Sequence, residues 1–450
     1  MKAGVDYDVF VIGTGNTGQT VAYKCKKAGL KVAIADERAF GGTCPQRGCD
    51  PKKVLHGIAE AIYHSNALLN HGITKLPEYS WENLMCFKNT FTAPIPSHTE
   101  NDLKKANIDY FKGTVSFVDE QTVTVNHKNF KCKHIVIATG ATPKPLKITG
   151  NEFLKTSEDF LVLPHLPSEI IFIGAGYIAL EFAHIAARLG TKVSVIQHNN
   201  HILSKFDTAM AAVVKKASEE IGISFYMNTE VKAITNENDT YQIHLNIEDK
   251  DTFLPADMVF NTAGRTPNID HLKLEKGNIS FTEKGITVSK TLQSVTNKNI
   301  YAGGDCANTG LPLTPIANSE GSLIAKNIIK GEHFEIEYDE IPTTVFTLPN
   351  IARVGISEKE AQKNHDIEIK LNTDISNWFT AKRMNEKYYA YKILIDKKTQ
   401  TILGACIVGP NAAETINIFA LAIKNKLTVA NIKQTFMSYP TAIMDIKSML

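Results

Sequence analysis

One pattern constrains this chain more than any other, because it occurs twice. Residues 8–12 (DVFVI) form a strand-like run that ends at Gly13-Thr14-Gly15-Asn16-Thr17-Gly18, followed by a helical stretch to Gly29 and a second apolar run at 31–35. Residues 169–173 (EIIFI) end at Gly174-Ala175-Gly176-Tyr177-Ile178-Ala179, with a helical stretch to Gly190 and another apolar run at 192–196. The two agree position by position: Gly13, Gly15, Ala22, Gly29, Lys31 and Val32 recur 161 positions later as Gly174, Gly176, Ala183, Gly190, Lys192 and Val193. Two copies of one βαβ unit are the economical reading.

A lone GxGxxG is compatible with nothing more than a tight turn. Here each copy stands between a strand and a helix, where a dinucleotide fold needs it. The first glycine permits the sharp turn, the second lets the backbone approach a pyrophosphate, and the third position, Gly18 or Ala179, lets helix pack closely on strand. The helix N-terminus then offers free N–H groups and a partial positive charge to the phosphates. A ribose acceptor belongs about 20 residues on. In the first copy that place is Asp36, which suits the ADP half of FAD or NAD, since a carboxylate holds a ribose 2′-OH and repels a 2′-phosphate. In the second copy it is Gln197, with His198 beside it, which tolerates NADPH but makes a weaker phosphate site than arginines, unless Gln197 is simply a solvated strand end.

At about 150 residues per domain, 450 residues predict roughly three domains. Lys plus Arg exceeds Asp plus Glu by two, so no strong field points to nucleic acid or an anionic membrane. Apolar runs such as 170–180, interrupted by Gly174 and Gly176, fall short of the roughly 20 residues that span a bilayer. A strand-like run beginning at Asp8 leaves no room for a signal peptide, so the expected location is cytoplasmic. Seven cysteines are odd in number and too sparse for a secreted disulfide scaffold, so any disulfide is expected to be catalytic rather than structural.

Two of them stand in Gly41-Gly42-Thr43-Cys44-Pro45-Gln46-Arg47-Gly48-Cys49-Asp50-Pro51-Lys52-Lys53. Residues five apart in a straight helix rise about 7.5 Å, beyond the usual disulfide Cα range, so bridging Cys44 to Cys49 needs a distorted turn, which Pro45 and Gly48 suit. Asp50-Pro51 reads as a cap and first position for a helix to about Asn70. Thiols near a helix N-terminus and beside Arg47, Lys52 and Lys53 have depressed pKa values, which suits exchange chemistry; two buried free thiols are the bland alternative.

These residues resemble the flavin-dependent pyridine nucleotide-disulfide oxidoreductases, the family of glutathione reductase, dihydrolipoamide dehydrogenase and mercuric reductase. The resemblance covers almost the whole chain. Gly41 to Lys52 matches the family's GGTCxxxGCxPxK, with Pro45-Gln46-Arg47 and Asp50 as unusual fillers. It implies a redox disulfide against the flavin, with Cys49 nearest the isoalloxazine and Cys44 as the interchange thiol. It also implies Lys52 near flavin N5 paired with Glu181, and Tyr177 as the aromatic gate over the nicotinamide. Residues 138–143 (ATGATP) and 264–268 (GRTPN) resemble the two crossovers, and Tyr301-Ala302-Gly303-Gly304-Asp305 the second flavin motif, whose aspartate binds the ribitol. Leu313-Thr314-Pro315-Ile316-Ala317 would lie along the pyrimidine side. The implied FAD residues are thus Gly13, Gly15, Gly18, Asp36, Gly42, Thr43, Lys52, Gly113, Thr139, Gly140, Asp305, Thr314 and Ala317. Those for NADPH, or NADH, are Gly174, Gly176, Tyr177, Ala179, Gln197, His198 and Gly264. No metal ligands are implied.

The implied architecture is α/β: two Rossmann-like dinucleotide-binding domains and an α+β C-terminal dimerisation domain. FAD-binding segments at 1–147 and 271–338 flank an NAD(P)H-binding domain at 148–270, and the interface domain spans 339–450. In the family the last domain forms a homodimer and its HPTxxE segment sends a catalytic histidine into the partner's site. Residues 439–445 here read Tyr439-Pro440-Thr441-Ala442-Ile443-Met444-Asp445, so tyrosine replaces the histidine, methionine replaces the glutamate, and Asp445 lies one place too far. A histidine acid–base is worth about 10²–10⁴ in rate, whereas tyrosine, with a pKa near 10, could protonate a leaving alkyl thiolate only uphill by about 2 kcal/mol. Tyr439 therefore disfavours glutathione disulfide and favours an acceptor whose leaving group needs no proton. The expected enzyme takes hydride from NAD(P)H to FAD, passes electrons to Cys44–Cys49 and reduces a small disulfide or other thiol-reactive acceptor. Alternatives are a mercuric-reductase-like or quinone reductase, and a flavin-binding regulatory protein without turnover.

Overall fold

The computed structural model describes residues 5–237, 240–247, 250–338 and 340–450. It divides into two compact units: residues up to Lys53 with Met85–Lys144 and Gly264–Glu337, and Val54–Leu84 with Pro145–Ala263 and Tyr338–Leu450.

The first unit is built on β1 (Tyr7–Ile12), α1 (Asn16–Lys27) and β2 (Val32–Asp36), the first copy of the repeated pattern. β1 lies between β2 and the strand Lys128–Ile137, parallel to both, with Val9 opposite Val32 and Ile12 opposite Ile137. Asp109–Lys112 extends the sheet beyond β2, and Ile300–Ala302 joins in parallel on the far side of Lys128–Ile137. A strand covered on both faces needs apolar residues in both registers. Accordingly Val9 and Val11 pack in the cluster that includes Val21 and Ala22 of α1, while Phe10 and Ile12 pack in the opposite one with Phe111 and Phe130. Gly18 shows why the third position must be small: a Cβ there would sit 1.9 Å from Gly13 O.

In the second unit Ser224–Tyr226, Lys192–Ile196, Glu169–Ile173 and Met258–Asn261 form a parallel sheet in that order. The helix Tyr177–Arg188 follows its glycine turn. The copies agree in their bonds as well as their letters: Gly13 N–H donates to Ala35 O and Gly174 N–H to Ile196 O, each at 2.7 Å. The C-terminal part is a five-stranded antiparallel sheet, ordered Thr343–Val345, Ile351–Gly355, Ile402–Val408, Ala390–Asp396 and Ile367–Asn372, with the helix Ala412–Lys424 in its core. The fold is therefore the expected α/β architecture, two Rossmann-like sheets and an α+β C-terminal region.

Two details differ from the sequence reading. α2 (Thr43–Arg47) and α3 (Cys49–Ala67) are separate helices broken at Gly48, so Asp50 lies inside the first turn of α3 rather than capping it, and α3 stops short of Asn70. Glu230–Glu237, Thr240–Ile247 and Lys250–Ala256 add an antiparallel three-stranded sheet that periodicity did not single out. Among the described residues, no helix is long and apolar enough to cross a membrane.

Candidate active site

The end of β1 organises the first unit's site. Gly15 caps α1 without any side-chain hydrogen bond, and the first turn carries no acid, so its N–H groups remain available to an anion. Thr14, a buried residue the motif leaves unspecified, ties the turn together. Its N–H and hydroxyl both donate to Asp36 Oδ2 at 2.7 Å, and its oxygen accepts the Gly41 N–H at 3.0 Å. Arg38 N–H donates to the other Asp36 oxygen at 2.9 Å. Of about four acceptor positions on a carboxylate, one stays open to a ribose hydroxyl. Gly113 N–H donates to Asp36 O, and Gly42 packs so closely that a Cβ would lie 2.5 Å from Gly15 Cα. Thr43 opens α2 beside it. At the end of the adjacent parallel strand Lys128–Ile137, Asn268 N–H reaches Gly140 O, next to Thr139. Thr17 donates to Ala317 O at 2.9 Å. Asp305 is held in the short helix Gly304–Cys306, where burial pushes its carboxyl up and Arg265 draws it back. An uncapped helix N-terminus, a small-residue turn and a carboxylate with one free lone pair fit the adenosine and pyrophosphate of FAD.

The two motif cysteines meet at the break between α2 and α3. Both are thiols, and Thr314, first residue of the helix Thr314–Lys330, lies against each, its hydroxyl oxygen 3.3 Å from Cys44 Sγ and 3.6 Å from Cys49 Sγ. The Cys44 thiol's hydrogen bond to Cys49 brings the Cys49 pKa down to about 6, helped by the Thr314 hydroxyl and the Lys52 charge against desolvation. The same bond, with burial, holds Cys44 well above the usual thiol range. The pair thus shares one proton, carried on Cys44, and leaves the thiolate on Cys49. Gln46, one of the unusual fillers of the motif, donates its amide to Phe40 O (2.9 Å), Gly42 O (3.0 Å) and Ala39 O (3.3 Å), fastening α2 to the glycine segment. Burial pushes the thiols of Cys25, Cys132 and Cys406 up to about 12 and that of Cys306 to about 11, so these behave as small apolar side chains.

In the second unit Gly176 likewise caps its helix without a side-chain bond or an acid in the first turn, and Tyr177, half exposed, begins it with Ala179 buried behind. Gln197 repeats Asp36 in detail. Its Oε1 accepts the Ala175 N–H at 3.0 Å, 22 positions apart as Thr14 and Asp36 are, and its amide donates to Asn199 Oδ1. Gln197 is therefore buried beneath the turn, and His198 is the exposed neighbour, 3.2 Å from the Asn199 amide. Gly264 belongs with the first unit, its carbonyl accepting the Lys144 N–H. Glu181 is buried and accepts the Phe346 N–H at 2.8 Å. Tyr439 is 76% exposed, whereas Asp445 accepts the Tyr389 hydroxyl at 3.0 Å. Lys52 lies in the first unit on α3, and Glu181 and Tyr439 in the second.

Comparison with known proteins agrees with this geometry. Residues 7–321 match the pyridine nucleotide-disulphide oxidoreductase family and residues 341–449 its dimerisation domain. The glutathione reductase of Burkholderia cepacia is 32% identical over 447 residues, covering 97% of this chain and 96% of its own. The mercuric reductase of Staphylococcus aureus is 28% identical over 452 residues, covering 98% and 81%. Among solved structures, the HOCl-induced flavoprotein disulfide reductase RclA from Escherichia coli superimposes with a TM-score of 0.88 at 25% identity, over 98% of this chain and 99% of that one. The repeated nucleotide turns, the paired cysteines and the full-length match thus have one explanation: the chain belongs to the pyridine nucleotide-disulphide oxidoreductases, enzymes that use FAD and NAD(P)H and act on sulfur groups.

Proposed function

We propose that the chain is a homodimeric, cytoplasmic reductase that passes electrons from NAD(P)H to a small thiol-reactive acceptor through Cys49 and Cys44. The observation that carries this reading is the thiol pair on either side of the Thr314 hydroxyl, at 3.3 and 3.6 Å, with the proton on Cys44 and the thiolate on Cys49. Bound FAD supplies the hydride-to-electron-pair step. The chain's own residues do the rest. Gly13, Gly15, Gly18, Asp36, Gly42, Thr43, Gly113, Thr139, Gly140, Asp305, Thr314 and Ala317 hold and orient FAD, and Lys52 adds positive charge beside the dithiol. Gly174, Gly176, Ala179 and Gln197 shape the nucleotide turn, Tyr177 covers the nicotinamide, Gly264 marks the return crossover, and His198 is the exposed side chain that would meet a 2′-phosphate. The absence of a carboxylate at Gln197 supports NADPH over NADH.

Cys44 acts as the attacking thiol and Cys49 as the resolving one. Tyr439 is a poor proton donor to a leaving alkyl thiolate, so the favoured acceptor is an activated sulfur compound whose leaving group departs unprotonated. Retention of both cysteines, Lys52 and Glu181 argues against a binding protein without turnover. The domain limits follow the same reading: 1–147 and 271–338 for FAD, 148–270 for NAD(P)H and 339–450 for the interface. Anaerobic reduction by NADPH is expected to give a long-wavelength thiolate-to-flavin band in the wild type and none in Cys49→Ser. A wild type without that band rejects the redox role of the pair.

A further inference from the structure

The sulfur that attacks the acceptor has a carboxylate beside it. The Cys44 thiol points to Asp50 Oδ1 at 3.9 Å, across the break at Gly48, while its other neighbour is the Thr314 hydroxyl at 3.3 Å. The opposite charge lies toward the other sulfur, with Lys52 acting on Cys49, and the nearby Arg47 guanidinium reaching Gln46 Oε1 at 3.4 Å; Lys53 is exposed. Asp50 also bears on Cys49, less strongly than Lys52 does, so the carboxylate's direct contact is with the attacking sulfur while the balance of charge at the resolving sulfur is positive. Asp50 stands exposed in the first turn of α3.

We propose that Asp50 is a specificity-determining residue that selects neutral or cationic acceptors and turns away anionic ones. This rests on the dithiol reading above. In the exchange, the shared proton passes from Cys44 to Cys49, the Cys44 thiolate attacks one sulfur of a disulfide RSSR, and the S–S bond breaks to release RS⁻, which takes the proton from Cys49 and leaves as RSH. Cys49 thiolate then displaces the second RS⁻ from Cys44 and closes the Cys44–Cys49 bond. The dithiol gives up two electrons and one proton, and the acceptor departs as one RSH and one RS⁻. During the exchange a carboxylate two carbons from the attacked sulfur, as in dithiodipropionate, comes to about 7 Å from Asp50. Two like charges at that distance cost roughly a factor of three per charge in water-like surroundings, and more where water is partly excluded. A glutathione-type acceptor carries its carboxylates farther from the sulfur and is disfavoured less per charge.

The test is a charge-matched pair of thiol reagents on the full-length reduced holoenzyme at low salt, iodoacetamide against iodoacetate, with alkylation read at Cys44 by peptide mass. Single-turnover reoxidation by cystamine, hydroxyethyl disulfide and dithiodipropionate gives the same ratio for disulfides. Asp50→Asn is expected to lower the neutral-to-anionic rate ratio about threefold for the alkylating pair, and the cystamine-to-dithiodipropionate ratio about tenfold or more, with both differences shrinking in salt. Asp50→Glu, which keeps the charge, is expected to retain the wild-type ratios. Ratios in Asp50→Asn within about 1.5-fold of the wild type overturn the proposal. If the wild-type Cys44 is not alkylated, or Cys44→Ser still turns over, the dithiol reading falls first and this one with it.

Discussion

Thr314 offers the sharpest quantitative test of the thiol pair, because one hydroxyl touches both sulfurs. The Cys49 pKa is brought to about 6 by the Cys44 thiol first, with the Thr314 hydroxyl next among the favourable contributions and Lys52 after it. A hydrogen bond to a charged group is worth about 1.5–3 kcal/mol, and the 3.6 Å contact lies at the weak end; about 1.4 kcal/mol corresponds to one pKa unit. Thr314→Val keeps the shape and removes the hydroxyl, so the midpoint is expected to rise from about 6 to about 7. The sign follows from what the hydroxyl stabilises: it favours the thiolate, which is present above the pKa and lost as pH falls through it, so the variant loses thiolate at a higher pH. At pH 6.5 the thiolate fraction drops from about three-quarters to about one-quarter. Anaerobic pH titration of the long-wavelength band in the two-electron-reduced enzyme measures this directly, with Thr314→Ser as the control that keeps the wild-type midpoint. A Thr314→Val midpoint that moves by less than about 0.3 unit, or moves downward, refutes the assignment of Thr314 as a thiolate donor.

Two further outcomes follow from the same geometry. Gly42→Ala places a methyl group 2.5 Å from Gly15 Cα at a φ of +77°, so the purified variant is expected to be colourless or to release FAD on dilution, and an FAD content equal to the wild type would contradict the role given to this contact. Tyr439→His is expected to raise kcat/KM for glutathione disulfide by about 10- to 100-fold by restoring a neutral-range acid–base, and unchanged turnover sinks the argument drawn from the missing histidine.

Much of the fold was legible because a Rossmann-like unit advertises itself locally. The strand run, the glycines whose Cβ atoms would strike backbone, and the polar residue at the second strand end are all set within some 30 residues, and they recur 161 positions on. The antiparallel sheet at 230–256 had no comparable marker, since short alternating strands can pair in many registers until a neighbouring surface chooses one.

Residue chemistry at the site was legible in kind and not in arrangement. The sequence determined that two thiols, basic residues and two prolines lie in one short segment, and that the usual C-terminal histidine is a tyrosine. The tertiary structure decided that a third group bears on both sulfurs, because Thr314 arrives from 265 positions beyond Cys49, and a pKa depends on what surrounds a group rather than on its place in the chain. It likewise decided that Gln197 supports a turn from beneath, that Gln46 fastens three carbonyls, and that Asp50, a mere filler in the motif, stands against the Cys44 thiol. Local pattern fixes backbone path; only packing brings distant side chains within the few ångströms where hydrogen bonds and charges act.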